Sequence, residues 1–138
     1  MVIDGERLDL SNGPDEPEMK GWLVVANSRQ YAARLNPAPM AEMGDGLLDV
    51  VYVPMRSRMG LLPRMIAYRL GWQGRDTAVV YRRGREIEVM VDPPQLWQLD
   101  GDPPGMAGGG AAGEGQDPGR VDSIRISLLP RVLPVLIP

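Results

Sequence analysis

With 138 residues the chain is long enough for one domain with its own hydrophobic core and too short for two ordinary ones. Hydrophobic residues make up 43% and charged residues 24%, which is globular rather than disordered, yet aromatics are only 5% and phenylalanine is absent, so the core must be aliphatic. Cysteine and histidine are absent as well, which excludes disulfides, thiolate or imidazole zinc sites and any catalysis that needs those side chains. Chemistry is left to carboxylates, arginine, the single Lys20, tyrosine and hydroxyls, and a bound metal would be hard and oxygen-liganded, such as Mg²⁺.

In chain order, Val2 to Leu10 reads as two short extended runs around Asp4-Gly5, a dipeptide suited to the positive backbone angles of a tight hairpin turn. After a polar loop from Ser11 to Lys20, Trp22 to Asn27 is an apolar run of strand length, and Tyr31 to Leu35 reads as another, broken by Asn36-Pro37-Ala38-Pro39. Leu47 to Val53 carries the strongest strand signal, closed by Pro54. The period then changes. Leu62, Ile66 and Leu70, with Leu61 and Met65 beside them, repeat at helical spacing, which predicts one helix over about 57–70, with Pro63 either in its first turn or kinking it and Gly71 at its C-terminal cap.

Three further strands are predicted at Thr77 to Arg82, Glu86 to Val91 and Gln95 to Leu99, the first pair joined by a turn at Arg83-Gly84 and the second pair separated by Asp92-Pro93-Pro94. Residues 103–119 are dominated by Gly, Ala and Pro and read as a flexible loop, and two last strands are predicted at Ser123 to Leu128 and Val132 to Ile137. Many short, largely antiparallel strands with one helix predict a mainly β domain spanning 1–138, a β-sandwich or a barrel-like fold. No run approaches the roughly 20 apolar residues of a membrane-spanning helix, and the first residues are acidic rather than a basic signal region, so a cytoplasmic protein is expected.

The net charge of -3 hides a division, with acids concentrated in the first eighteen residues and the stretch from Arg56 to Arg85 carrying arginines against Asp76 alone. That stretch is either a set of solvated arginines or an attraction to an anionic surface, and lysine is too scarce for a nucleic-acid binder. Two segments offer carboxylate chemistry. In Glu42 to Val50, Gly44 and Gly46 let the backbone turn around Asp45, which either starts a strand or gathers carbonyls around a hard cation. Leu99-Asp100-Gly101-Asp102 sets two carboxylates two residues apart on a tight turn, which is either an ordinary hairpin or the paired acids that phosphoryl transfer uses.

Taken in order, Val24-Val25-Ala26-Asn27, Leu35-Asn36-Pro37-Ala38-Pro39, Asp45-Gly46-Leu47-Leu48-Asp49-Val50, a helix ending at Gly71, Glu88 to Pro93, Leu99-Asp100-Gly101-Asp102 and Val132 to Pro138 resemble the C-terminal domain of the diacylglycerol kinase and sphingosine kinase family of bacterial lipid kinases. The resemblance implies a structural Mg²⁺ held by the Asp45 side chain with the carbonyls of Glu42 and Leu47. It implies that Asp102, partnered by Asp100, accepts the proton of the lipid hydroxyl. Asp102 stands where the family has Glu, which shortens the reach by roughly 1.5 Å. Family kinases bind ATP through an N-terminal domain with a Gly-Gly-Asp-Gly-Thr loop, and no glycine-rich segment of this sequence lies between a strand and a helix. The expectation is the substrate-side domain of an ATP-dependent lipid kinase, inactive unless a nucleotide-binding domain is supplied in cis or in trans. The alternatives are a non-enzymatic module that binds lipid or protein, and a homo-oligomerisation domain.

Overall fold

In the computed structural model the described residues are 1–8, 10, 20–29, 36–55, 58–70, 77–100 and 120–129. They form β1 (Val2–Ile3), β2 (Glu6–Arg7), β3 (Lys20–Ala26), β4 (Leu48–Met55), a 3-10 turn (Arg58–Gly60), α1 (Leu61–Arg69), β5 (Val80–Gly84), β6 (Glu86–Leu96) and β7 (Arg120–Ser127). The strands make two antiparallel sheets, one in the order β2-β1-β6-β7 and the other β3-β4-β5. The fold is therefore mainly β and sandwich-like, with one helix among the described residues.

The apolar run of β4, interrupted by Asp49, has a structural cause. Strands that alternate face water on one side, whereas a strand covered on both sides is apolar at every position. Leu48 and Val50 pack with Ile3 and Ile87 of the four-stranded sheet. Val51 and Val53 point the other way, onto Val24, Ala38, Ala41 and Tyr68. Burying each such valine contributes roughly 1.5–3 kcal/mol, so β4 carries a large share of the stability of a domain this size. Across the sheet, Gly21 leaves room for the Tyr52 ring, which a Cβ at that position would overlap.

The helix forms where its period predicted it, with Arg58–Gly60 as a 3-10 lead-in and Pro63 inside the first turn. Its roll is the less obvious one. Tyr68 is buried against the sheet and the Arg64 guanidinium donates to the Pro54 carbonyl. The stripe that defined the helix faces outward, with Leu62 63%, Ile66 53% and Leu70 57% exposed, next to Met59. No helix among the described residues is long and apolar enough to cross a membrane.

Several boundaries differ from the sequence reading: β5 runs over Val80–Gly84 rather than Thr77 to Arg82, and β7 begins at Arg120 rather than Ser123. Pro54 lies within β4, which runs on to Met55. The two strands expected on either side of Asp92-Pro93-Pro94 are one, β6, which keeps pairing with β7 through a register shift between Met90 and Gln95, with a cis peptide bond at Asp92-Pro93. Proline is tolerated there because a bulge frees its position from the hydrogen-bond ladder. The turn predicted at Arg83-Gly84 is instead the end of β5 and a corner, since β5 belongs to one sheet and β6 to the other, with Arg85 alone between them. Expectations for Tyr31 to Leu35, Gly71, residues 103–119 and Val132 to Ile137 fall outside the described residues.

Asp4 holds that corner. With Asp4 at φ 49° and Gly5 at φ 84°, the β1-β2 turn has the positive angles expected of it. The Asp4 carboxylate accepts from the backbone N–H groups of Arg85 and Glu86, each at 2.8 Å, and the Asp4 N–H donates to the Glu86 carbonyl at 2.9 Å. The Arg85 carbonyl accepts from Leu128 N–H at 3.0 Å, so the corner's backbone is satisfied on both sides. The N–H groups of Glu86 and Arg85 hold the Asp4 carboxyl below its ordinary value of 3.8. A carboxyl depressed in the folded state stabilises the fold above the unfolded value, and that contribution is lost as pH falls through the folded one. Asp4→Asn keeps the turn, since Asn accepts positive φ, but removes the charge. We expect a melting temperature a few degrees lower at pH 7, and a smaller loss than wild type between pH 5 and pH 3 in parallel thermal melts.

Candidate functional site

At the start of β4, Gly46 adopts φ 75°, a conformation that favours glycine, and this lets the chain fold back so that Leu47 N–H donates to Asp45 Oδ1 at 2.9 Å. Four residues on, inside the strand, stands Asp49, a carboxylate with 0% exposure. Its cross-strand partner on β5 is Arg83, and Val51, the next residue on the same face, pairs with Tyr81. The Tyr81 hydroxyl donates to Asp49 Oδ1, and Arg83 Nε lies 3.3 Å from the same oxygen. The other arm of the guanidinium, through Nη2, donates to Asp45 Oδ2. Asp49 Oδ2 is buried with no hydrogen-bond partner among the described residues.

The four side chains form a connected charge network. Burial raises the Tyr81 hydroxyl far above the ordinary phenol value, and its hydrogen bond to Asp49 and the charge of that carboxylate push the same way, so Tyr81 is a donor at every working pH. Burial works against the Arg83 charge, but the carboxylates of Asp49 and Asp45 outweigh it and hold the guanidinium above its ordinary range. A planar fork with several donors can serve two carboxylates at once, which an ammonium cannot do with the same geometry.

The segment 36–42 closes over this face, with Ala38 and Ala41 in the core beside Val51. It is held from outside by Arg29, which pairs with Glu42 Oε1 at 2.8 Å and donates to the Ala41 carbonyl at 3.3 Å. The donor set expected for a cation can now be located. Asp45 has both oxygens engaged, one by Leu47 N–H and one by Arg83. The Glu42 carbonyl faces the Asp45 N–H at 3.4 Å and the Glu42 carboxylate is paired with Arg29. Among the described residues no group of three or more His, Cys, Asp or Glu side chains could hold a metal ion. Of that expected set, the Asp45 carboxylate already holds Leu47 N–H and Arg83 as partners within the chain.

The second acidic segment lies elsewhere. Asp100 follows the end of β6 on an exposed turn at φ 53°, and Asp102 is outside the described residues. No hydrogen bond or ion pair among the described residues joins Asp100 to the Asp45 cluster. Sequence reasoning missed Asp49, Tyr81 and Arg83. The signal available was an acid inside an apolar run, which a strand covered on both faces can hold only with a cationic partner.

Tyr81→Phe removes one of the donors to Asp49 without changing the ring that packs on the core. Leaving a buried carboxylate short of a donor costs about 1–3 kcal/mol. We expect that loss as a lower urea midpoint with an unchanged m-value, at pH 7.

The comparisons with known proteins agree with this architecture. Neither the curated proteins nor the solved structures returned a match. A family model, the YegS C-terminal NAD kinase beta sandwich-like domain, matches residues 1–137. With that match over nearly the whole chain and two antiparallel sheets to go with it, the chain belongs to the YegS-type C-terminal domain family of the lipid kinases.

Proposed function

We propose that this domain is the substrate-side half of an ATP-dependent lipid kinase, acting together with a nucleotide-binding domain on the same or another chain. The observation that carries the reading is the family match over residues 1–137. In this reading the hydroxyl oxygen of a lipid such as diacylglycerol attacks the γ-phosphorus of ATP, the bond to ADP breaks, and the hydroxyl proton passes to Asp102, with Asp100 orienting the hydroxyl. The turn at Asp100, four residues past the end of β6, supports such a role, because Asp102 follows it by two residues in the sequence. Phosphoryl transfer needs positioned nucleotide phosphates as well as acids, and no glycine-rich loop between a strand and a helix is found in this sequence. The isolated chain is therefore inactive in this reading. Mixing it with a nucleotide-binding domain of the family should give phosphorylation of diacylglycerol vesicles from radiolabelled ATP, falling at least tenfold with Asp102→Asn. No product from a mixture of two folded domains would sink the proposal.

A second reading is favoured by the outward stripe of α1. Leu62, Ile66 and Leu70 present apolar surface beside the exposed Arg69, in the most arginine-rich part of the chain. Apolar side chains next to cations are what a peripheral helix offers an anionic bilayer. In this reading the domain binds a cytoplasmic membrane surface, with or without catalysis. Wild type should co-sediment with phosphatidylserine-containing vesicles and not with phosphatidylcholine alone, and Leu62→Glu with Ile66→Glu should abolish it. If the same pair of changes instead turns a dimer into a monomer in sedimentation velocity, with no vesicle binding by wild type, the stripe serves self-association.

A further inference from the structure

We propose that Arg83 is the resident cation of the Asp45–Asp49 pair, so that the domain takes no divalent metal there, and that removing the guanidinium opens a site for a hard divalent cation. The argument starts from charge. Two carboxylates four residues apart, one of them with 0% exposure, need a cation between them. Arg83 is placed for it by the sheet itself, directly across from Asp49, and its two arms reach Asp49 Oδ1 and Asp45 Oδ2.

A dication at Asp45 would have to displace that arm. It would then sit beside an expelled guanidinium of like charge, and Asp49 would lose its only charged partner among the described residues. Both costs fall on the same event, so the arginine and the metal are alternatives. The oxygens that Arg83 now uses are hard donors, and Asp49 Oδ2 has no hydrogen-bond partner among the described residues, so a vacancy at Arg83 would leave two carboxylates facing one space. Hard divalent cations favour that kind of donor set.

Methionine at 83 keeps the aliphatic stem about as far as the position of Nε and removes the charged end that reaches Asp45. Thermal melts of wild type should superimpose in 5 mM EDTA and in 5 mM MgCl₂ (concentrations chosen on the order of those used to saturate weak oxygen-ligand sites). Arg83→Met should melt several degrees lower in EDTA and regain most of that loss with Mg²⁺, and Arg83→Met combined with Asp45→Asn should not regain it. Room-temperature electron paramagnetic resonance of added Mn²⁺ gives an independent reading, since bound Mn²⁺ loses signal. Signal should be lost with Arg83→Met and not with wild type. Wild type that depletes the Mn²⁺ signal overturns the proposal even if the variant fails to fold. So does a folded Arg83→Met that is indifferent to Mg²⁺ and leaves the Mn²⁺ signal intact.

Discussion

A carboxylate without access to water has to be answered by charge and by donors from within the chain, and Asp49 is such a carboxylate, placed in the strand over which both halves of the core close. An effective penalty of several kcal/mol per buried ion is comparable to the whole stability of a small domain. The answer comes from β5, through Arg83 and Tyr81. This has a consequence for how the strands find each other. Because β4 is apolar on both faces, a slip of one residue against β5 would exchange one set of valines for another at little hydrophobic cost. The same slip would turn Arg83 and Tyr81 to the opposite face and leave Asp49 among aliphatic side chains. The polar pairing selects the register that hydrophobic patterning alone leaves degenerate.

Two residues further along, the chain changes sheets, and another carboxylate sets the geometry. Gly84 comes so close to Ile3 that a Cβ there would overlap its side chain. Arg85 then has its N–H bound by Asp4 and its carbonyl bound by Leu128. From residue 83 to residue 86 the chain is therefore fixed by acids on both sides, Asp49 of the three-stranded sheet with Asp45 in the turn before it, and Asp4 from the β1-β2 hairpin. The sandwich is joined at a polar corner as well as through its apolar interior.

Much of this was legible in the sequence because it depends on local patterns. The Asp4-Gly5 turn, the buried run of β4, the alternation at Ile87 and Val89 and the helical repeat after Pro54 each declare themselves within a few residues. What escaped depends on partners far away. Arg83-Gly84 has the composition of a hairpin turn, and only Asp4, about eighty positions earlier, makes it a corner. Pro93-Pro94 looks like the end of a strand, and only pairing with β7 carries β6 across it. At the candidate site, Asp45 was conspicuous through its glycines. Asp49 was hidden inside an apolar run, and the role of Arg83 could not be separated from that of its arginine neighbours without the register of β5.

The helix shows the same limit from the other direction. Its strongest periodic signal, Leu62, Ile66 and Leu70, established that a helix forms, yet the roll was settled by a tyrosine that fits against Val24 and Val53 and by an arginine that reaches the Pro54 carbonyl. Both groups bring something the leucines lack. Tyr68 fills a larger volume over the sheet, and Arg64 satisfies a strand-end carbonyl that would otherwise need water. A helix of nine residues has room for one inward line. Once Tyr68 takes it, the aliphatic stripe is turned to the outside. The same choice that completes the core thus leaves Leu62, Ile66 and Leu70 exposed to solvent.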